Sequence, residues 1–209
     1  MIKVEFDKKI GKVKPMHAVN NGPDYRMGAD ETYSNINLFR AAGIPYVRNH
    51  DASYYATYGG EHTVDVHAIF PDFSKDPYDE ASYDFPITDE YTKSIVYGGS
   101  KVFYRLGSKI EHNIKKYGTL PPKDFNKWAV ICEHIIRHYT EGWANGFNFD
   151  IEYWEIWNEP DLDPDDSNNK RTWGGTAAQF YELYKITAKH LKEKISAFKN
   201  RWACGLFAS

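Results

Sequence analysis

The sequence predicts an α/β fold built on a parallel sheet, and three observations lead there. Short apolar runs rich in β-branched and aromatic residues alternate with amphipathic helical stretches in about four successive units, the alternation that puts helices outside a parallel sheet. Polar residues gather where the apolar runs end: His17 and Asn20, Arg48 and His50, His112, Asn158 and Glu159. No Gly-rich phosphate turn follows any of these runs, which weakens a nucleotide-binding version. The alternation alone does not separate an open doubly wound sheet from a closed barrel.

Val4 to Phe6 and Val13 to Val19 read as short strands flanking a polar turn around Gly11. The second gives way to His17-Ala18-Val19-Asn20-Asn21-Gly22-Pro23, where turn residues take over. A helix is predicted from about Asp30 to Ala42, with Gly43 as its left-handed stop. Ile44 to Asp51 is the next strand, apolar first and polar at its exit. Ala52 to Phe85 is too long for an ordinary βα connection and reads as a functional loop holding a short strand at Val64 to Ile69. Thr88 is expected to cap a helix closed by Gly98-Gly99. Lys101 to Leu106 is a third strand, and Asp124 to Tyr139 a helix whose apolar stripe runs through Phe125, Trp128, Cys132, Ile135 and Tyr139. Ile151 to Trp157 is a fourth strand. Thr176 and Gln179 form a capping box for a long helix reaching Ile195, and Trp202 to Phe207 resembles a fifth strand.

Composition bounds the function classes. With 209 residues, 42% hydrophobic and 16% aromatic, the chain is long enough for one domain over residues 1–209 with a sizeable core. It has 26 basic and 29 acidic side chains, a formal charge of −3 and no basic cluster, so neither nucleic acid nor an anionic membrane is an expected partner. No apolar run approaches a membrane span. Met1 to Asp7 lacks the features of a signal peptide, so cytoplasmic residence is expected, although a clipped chain would begin the same way. Cys132 and Cys204 lack metal-type spacing and read as buried free thiols.

The chemistry concentrates in Tyr153-Trp154-Glu155-Ile156-Trp157-Asn158-Glu159-Pro160. The run suits a strand buried on both faces, and Pro160 stops its pairing, leaving Asn158 and Glu159 at the strand's mouth. A carboxyl walled by Trp and Tyr is poorly solvated when charged, which would let Glu159 keep a proton near neutrality and act as a general acid. Adjacent residues of an ideal strand point to opposite faces, so the strand must bulge or end between Asn158 and Glu159 if both are to reach one ligand. A core strand running into an acidic loop is the plainer reading.

Two metal motifs fail on spacing. His62, Asp65 and His67 match no zinc pattern. Asp161-Leu162-Asp163-Pro164-Asp165 has the alternating acids of a calcium loop, but Asp166 replaces the required Gly and Thr172 the terminal Glu. No metal and no cofactor is assigned.

Trp157-Asn158-Glu159-Pro160 after Tyr-Trp-Glu-Ile resembles the strand-four signature of the clan A glycoside hydrolases, most closely family 39, which includes β-xylosidases and α-L-iduronidases. The resemblance implies a (β/α)8 barrel of the TIM type with its active site at the carboxyl ends of the strands. It implies Glu159 as the catalytic acid/base and Asn158 as a contact for the sugar 2-hydroxyl. Val47-Arg48-Asn49-His50 looks like the strand-two motif of the same family, which implies that Arg48 supports the nucleophile and His50 binds the sugar. Without the family, Arg48 equally well satisfies the carboxylate of Glu155. His17 and His112 are further substrate-binding candidates, and Arg105 reads as structural. Tyr54, Tyr55, Phe73 and Trp173 offer stacking faces, though most loop aromatics are only packing.

The implied function is that of a retaining glycoside hydrolase cleaving O-glycosidic bonds of xylosides or related sugars, with carbohydrate as the partner molecule. Retention needs a second carboxyl about 5 Å from the first. In the family that nucleophile lies on strand seven, whereas this chain ends at what reads as strand five, so no residue is assigned to it. The chain is therefore expected to be the amino-terminal half of a barrel, truncated after about strand five. It would be a fragment, a half completed by another polypeptide, or one partner of a strand-exchanged homo-oligomer, with open edges and uncovered apolar inner faces. The alternatives are a non-catalytic carbohydrate-binding or assembly half-barrel. Sugar and anomeric preference are not set by these residues.

Overall fold

A computed structural model of the chain describes residues 5, 7–12, 16–24, 34–50 and 63–195. The order of elements is β1 (Val19–Asn20), α1 (Ile36–Ala42), β2 (Tyr46–Arg48), α2 (Val66–Ile69), α3 (Pro86–Tyr97), β3 (Lys101–Leu106), α4 (Phe125–Glu141), β4 (Tyr153–Ile156) and α5 (Ala177–Lys194). Single 3-10 turns at Glu80–Ser82 and Trp143–Asn145 interrupt the connections. The four strands form one parallel sheet in chain order, β1-β2-β3-β4, with Val47 opposite Val19 and Val102, and Tyr104 opposite Trp154. A doubly wound sheet reverses strand order at a switch point; a barrel wall does not. The described sheet is part of an α/β barrel wall. The fifth strand expected at Trp202 to Phe207 and Cys204 lie outside the described residues.

Local signals explain where the helices begin and stop. Asp124 caps α4 by accepting the N–H groups of Asn126 and Lys127 at 2.8 and 3.0 Å. Thr176 and Gln179 close the capping box of α5, side chain to main chain in both directions, at 3.2 and 2.9 Å. Gly43 ends α1 with φ of 59°, the left-handed value that favours glycine. Helix α3 begins not at Thr88 but at Pro86, whose missing N–H costs nothing in the first turn. Thr88 is buried inside α3 and donates its hydroxyl to the carbonyl of Thr63. The stretch from Val64 to Ile69 forms a helical turn rather than a strand, because Asp65 is anchored from outside and lets Val66 and Ile69 face the core together. Of the strand expected from Val13 to Val19, residues 13–15 lie outside the described residues, and among residues 16–19 only Val19 pairs.

The sheet has one buried and one open face. Val47, Val102, Tyr104, Leu106, Trp154 and Ile156 are buried in one core with Ile95 of α3, Ile131, Cys132 and Ile135 of α4, and Leu183 of α5. The opposite face carries Tyr46, Arg48, Lys101, Phe103, Tyr153 and Glu155, all only partly covered, and Arg105, which is fully buried at the carboxyl end of β3. The expectations of strands buried on both faces and of an apolar inner face are both corrected. The open face is aromatic and charged: Tyr153 lies 5.4 Å from Tyr46 and 5.6 Å from Phe103 between ring centroids, with the Arg48–Glu155 pair on the same face. At the amino end of that face Lys101 pairs with Asp150 at 2.8 Å and with Glu152. No described helix is long and apolar enough to cross a membrane.

Candidate active site

The carboxyl end of β4 is where the backbone stops behaving as a strand. Pairing ends at Ile156, the N–H of Trp157 still donates to the carbonyl of Leu106 at 2.6 Å, and then Trp157 and Glu159 take φ of 70° and 42°. Left-handed backbone is costly for non-glycine residues, by roughly 1–3 kcal/mol each, and such positions tend to sit where geometry serves a site. These two reversals resolve the facing problem of an ideal strand. Trp157 turns its indole to the helical side, 5.9 Å from Trp128 and 4.9 Å from Trp173, and donates Nε1–H to the carbonyl of Thr172 at 2.7 Å. Asn158 is buried on the Arg48 side, and Glu159 emerges beyond it. Gly107, at the exit of β3, makes room for this turn: a Cβ there would lie 2.8 Å from the Cα of Trp157.

Arg48 and Glu155 form a two-bond ion pair, Nε to Oε2 at 2.6 Å and Nη2 to Oε1 at 2.8 Å. The same Nη2 donates to Oδ1 of Asn158 at 2.9 Å. This fixes the amide orientation, since only its oxygen can accept from a guanidinium. Asn158 Nδ2 is thereby turned away from Arg48, buried and without a hydrogen-bond partner among the described residues. The reading of Arg48 as the partner of Glu155 thus matches the geometry.

The other candidates divide. His50 follows β2 and is half-buried, with its N–H donating to Asn21 Oδ1 at 3.0 Å. His17 does not join the constellation: it precedes β1 and its Nε2 lies 2.9 Å from the carbonyl of Gly43, at the amino end of β2, so its chain position before Val19 puts it at the wrong end of the sheet. His112 is exposed in the loop after β3, and its carbonyl accepts from Asn169 Nδ2 at 3.0 Å across the neighbouring loop. Glu159 is also exposed, so the indole enclosure expected around it is not formed: Trp157 is committed to the helical side. Its main chain is held by Thr172 Oγ1, 2.5 Å from the Glu159 carbonyl.

Asp65 and Arg105 are fully buried and paired, Nη2 to Oδ1 at 2.5 Å, a contact made across forty residues of sequence that no local pattern announces. The pair leaves Asp65 unsuited to a metal, with His67 Nε2 3.9 Å from Oδ2 and His62 outside the described residues. No group of three or more potential metal ligands occurs among the described residues. In the acidic loop, Asp163 is taken by Arg171, whose hydrogen bonds hold its carboxyl below the usual carboxylate value, and Asp165 accepts the N–H of Ala177 at 2.9 Å. Trp173 is buried against Trp157 and Phe180, so it packs rather than offering a stacking face. Phe73 is half-buried with the Lys127 ammonium 5.4 Å over its ring; Tyr54 and Tyr55 lie outside the described residues.

No family model matches the chain. A β-xylosidase of Caldicellulosiruptor saccharolyticus is 29% identical over 75 residues, 35% of this chain and 14% of that protein. A β-xylosidase of Geobacillus stearothermophilus is 29% identical over 103 residues, 48% of this chain and 16% of that protein. Among solved structures, a glucosidase from Croceicoccus marinus superposes with a TM-score of 0.67 at 27% identity, covering 91% of this chain and 36% of the other. A family 39 β-xylosidase from Caulobacter crescentus gives a TM-score of 0.55 at 18% identity over 91% of this chain and 40% of the other, a likeness of fold alone. The chain therefore spans well under half the length of each relative; the expected resemblance is borne out in sequence by the β-xylosidases and in fold by the family 39 structure.

Proposed function

We propose that the exits of β2 and β4 form the glycone side of a retaining glycoside hydrolase site directed at xylosides or related sugars. In this reading Glu159 protonates the departing oxygen and then, as a carboxylate, activates the water that releases the sugar. Asn158 and His50 orient the glycone through its hydroxyls. The observation that carries the reading is Asn158: its oxygen is committed to Arg48, and its buried Nδ2 is left, among the described residues, as a donor without an acceptor at a strand exit. An unsatisfied buried donor costs about 1–3 kcal/mol, which a sugar oxygen would offset. The likeness to β-xylosidases supports the sugar class.

Glu159 starts exposed, so the bound sugar itself must exclude water from it. The second carboxylate of a retaining mechanism is assigned to no residue of this chain. That same exposure favours a second reading, a carbohydrate-binding module without turnover.

The test is an NMR titration of the labelled chain with xylose. Shifts should appear at Arg48, His50, Asn158 and Glu159, and Asn158→Ala should weaken binding about tenfold. An absence of shifts, or shifts centred on His17, would sink the proposal. The purified chain should release negligible phenol from aryl β-xylosides, and substantial release would show that a nucleophile had been overlooked. Glu159→Gln separates the two readings when titrated against an aryl xyloside. An acid/base beside the leaving oxygen should alter aglycone affinity, whereas a pure glycone-binding module should not notice the change.

A further inference from the structure

We propose that Arg105 and Asp65 are positioning residues for His50, a role that rests on reading His50 as a sugar ligand. Arg105 donates Nε and Nη2 to the carbonyl of His50 at 3.2 and 2.7 Å, and Nη2 also to Asp65 Oδ1 at 2.5 Å. Its main-chain N–H donates to Asn49 Oδ1 at 2.8 Å. Asp65 in turn accepts the N–H of Lys109 on Oδ2 at 3.1 Å, which ties the pair to the exit of β3. The N–H of His50 is held separately by Asn21 Oδ1 at 3.0 Å. Both peptide planes flanking the His50 Cα are therefore fixed by side chains from other segments.

Fold stability alone is a poor reason for this pair. Both side chains are fully excluded from water, and taking two charges out of water is costly, so apolar residues of similar volume often serve a core as well or better. What apolar residues cannot do is reach out and hold a specific carbonyl. The backbone beside the clamp leaves no room for a side chain: a Cβ on Gly107 would stand 3.4 Å from Arg105 Nη1 and 2.8 Å from the Trp157 Cα. One buried guanidinium thus ties the exit of β2, through Asp65, to the exit of β3.

Two variants test this. Arg105→Lys keeps the charge beside Asp65 but cannot fork between that carboxylate and the His50 carbonyl. Asp65→Leu combined with Arg105→Met replaces the pair with apolar side chains, an exchange expected to leave cooperative unfolding intact. The readouts are the His50 imidazole resonances in long-range proton–nitrogen NMR spectra and the xylose Kd. Both variants should shift the His50 resonances and weaken xylose binding by about tenfold to a hundredfold, as expected for a misplaced ligand group. A folded variant whose His50 resonances and xylose affinity match the parent overturns the proposal. Should the apolar pair fail to fold, Arg105→Lys decides by the same readouts. If the His50 resonances move but the parent binds no sugar, the positioning stands and the sugar-ligand reading falls.

Discussion

At the scale of single residues, two side chains share one guanidinium. Arg48 serves Glu155 with two bonds and Asn158 with a third, and the Arg48 and Glu155 side chains are only 21% and 12% exposed. Removing the Glu155 charge leaves Arg48 partly desolvated with a weaker acceptor. Glu155→Gln should therefore destabilise the fold by about 1–3 kcal/mol, read as a lower urea midpoint at constant slope. Glu159 is different in kind. It is exposed and its side chain has no packing role to lose, so Glu159→Gln should leave the same midpoint within about 0.5 kcal/mol. A large loss would mean that Glu159 is structural. The sequence signature drew attention to both residues, but their unlike surroundings follow from the turn between them, and nothing in the order Trp-Asn-Glu-Pro specifies two left-handed backbone angles.

At the scale of elements, the ends of helices and loops carry separable contributions. The capping box at the start of α5 closes a helix whose apolar face meets α4, so Thr176→Ala should cost about 1 kcal/mol in the same urea experiment. The loop after β3 is folded around Glu111, which accepts the N–H groups of Tyr117, Gly118 and Thr119 and the Thr119 hydroxyl, the last at 2.6 Å. Burial works to raise the Glu111 carboxyl, but the Thr119 hydroxyl and the three N–H donors outweigh it and hold the group below its ordinary value. A carboxyl depressed in the folded state binds fewer protons there than in the unfolded chain. Its stabilisation is therefore fully present above the unfolded value, about 4.3, and lost as pH falls through the folded one. Urea midpoints measured downward from pH 6 should fall in that range, and Glu111→Gln should flatten the fall. If the variant keeps the full acid dependence, Glu111 is not its source.

At the scale of the whole molecule, the apolar packing of the sheet among the described residues lies on its helical side. Ile135 is fully buried in the core between sheet and helices, and Ile135→Ala should cost about 2–5 kcal/mol because the cavity left in a close-packed layer collapses only partly. Phe103→Ala, on the open face and only partly covered, should cost clearly less than Phe→Ala changes in a sealed core, which run to about 3–5 kcal/mol; equal losses would mean that this face is covered after all. Much of this architecture was legible in the chain. The strand at Lys101 to Leu106, the Asp124 cap, the Gly43 stop and the Thr176–Gln179 box all follow from neighbours within a few positions, as does the expectation of helices outside a parallel sheet. The family resemblance came from eight contiguous residues and four more at the second strand. Legibility failed where the deciding partner lay far along the chain. Val64 to Ile69 carried strand-like residues, yet Asp65 is fixed by Arg105 forty positions later and the segment coils instead. His17 stood within an expected strand, yet among the described residues pairing begins after it, at Val19 opposite Val47. The sequence by itself determined the longer helices, the alternation of strand with helix and the signature residues at the exits of the second and fourth strands, since propensity, capping and periodicity act within a turn or two. Only the tertiary structure decided which exits meet, which face of the sheet stays open and that Glu159 stands in water. Those outcomes depend on contacts between segments far apart in the chain, whose geometry no local pattern encodes.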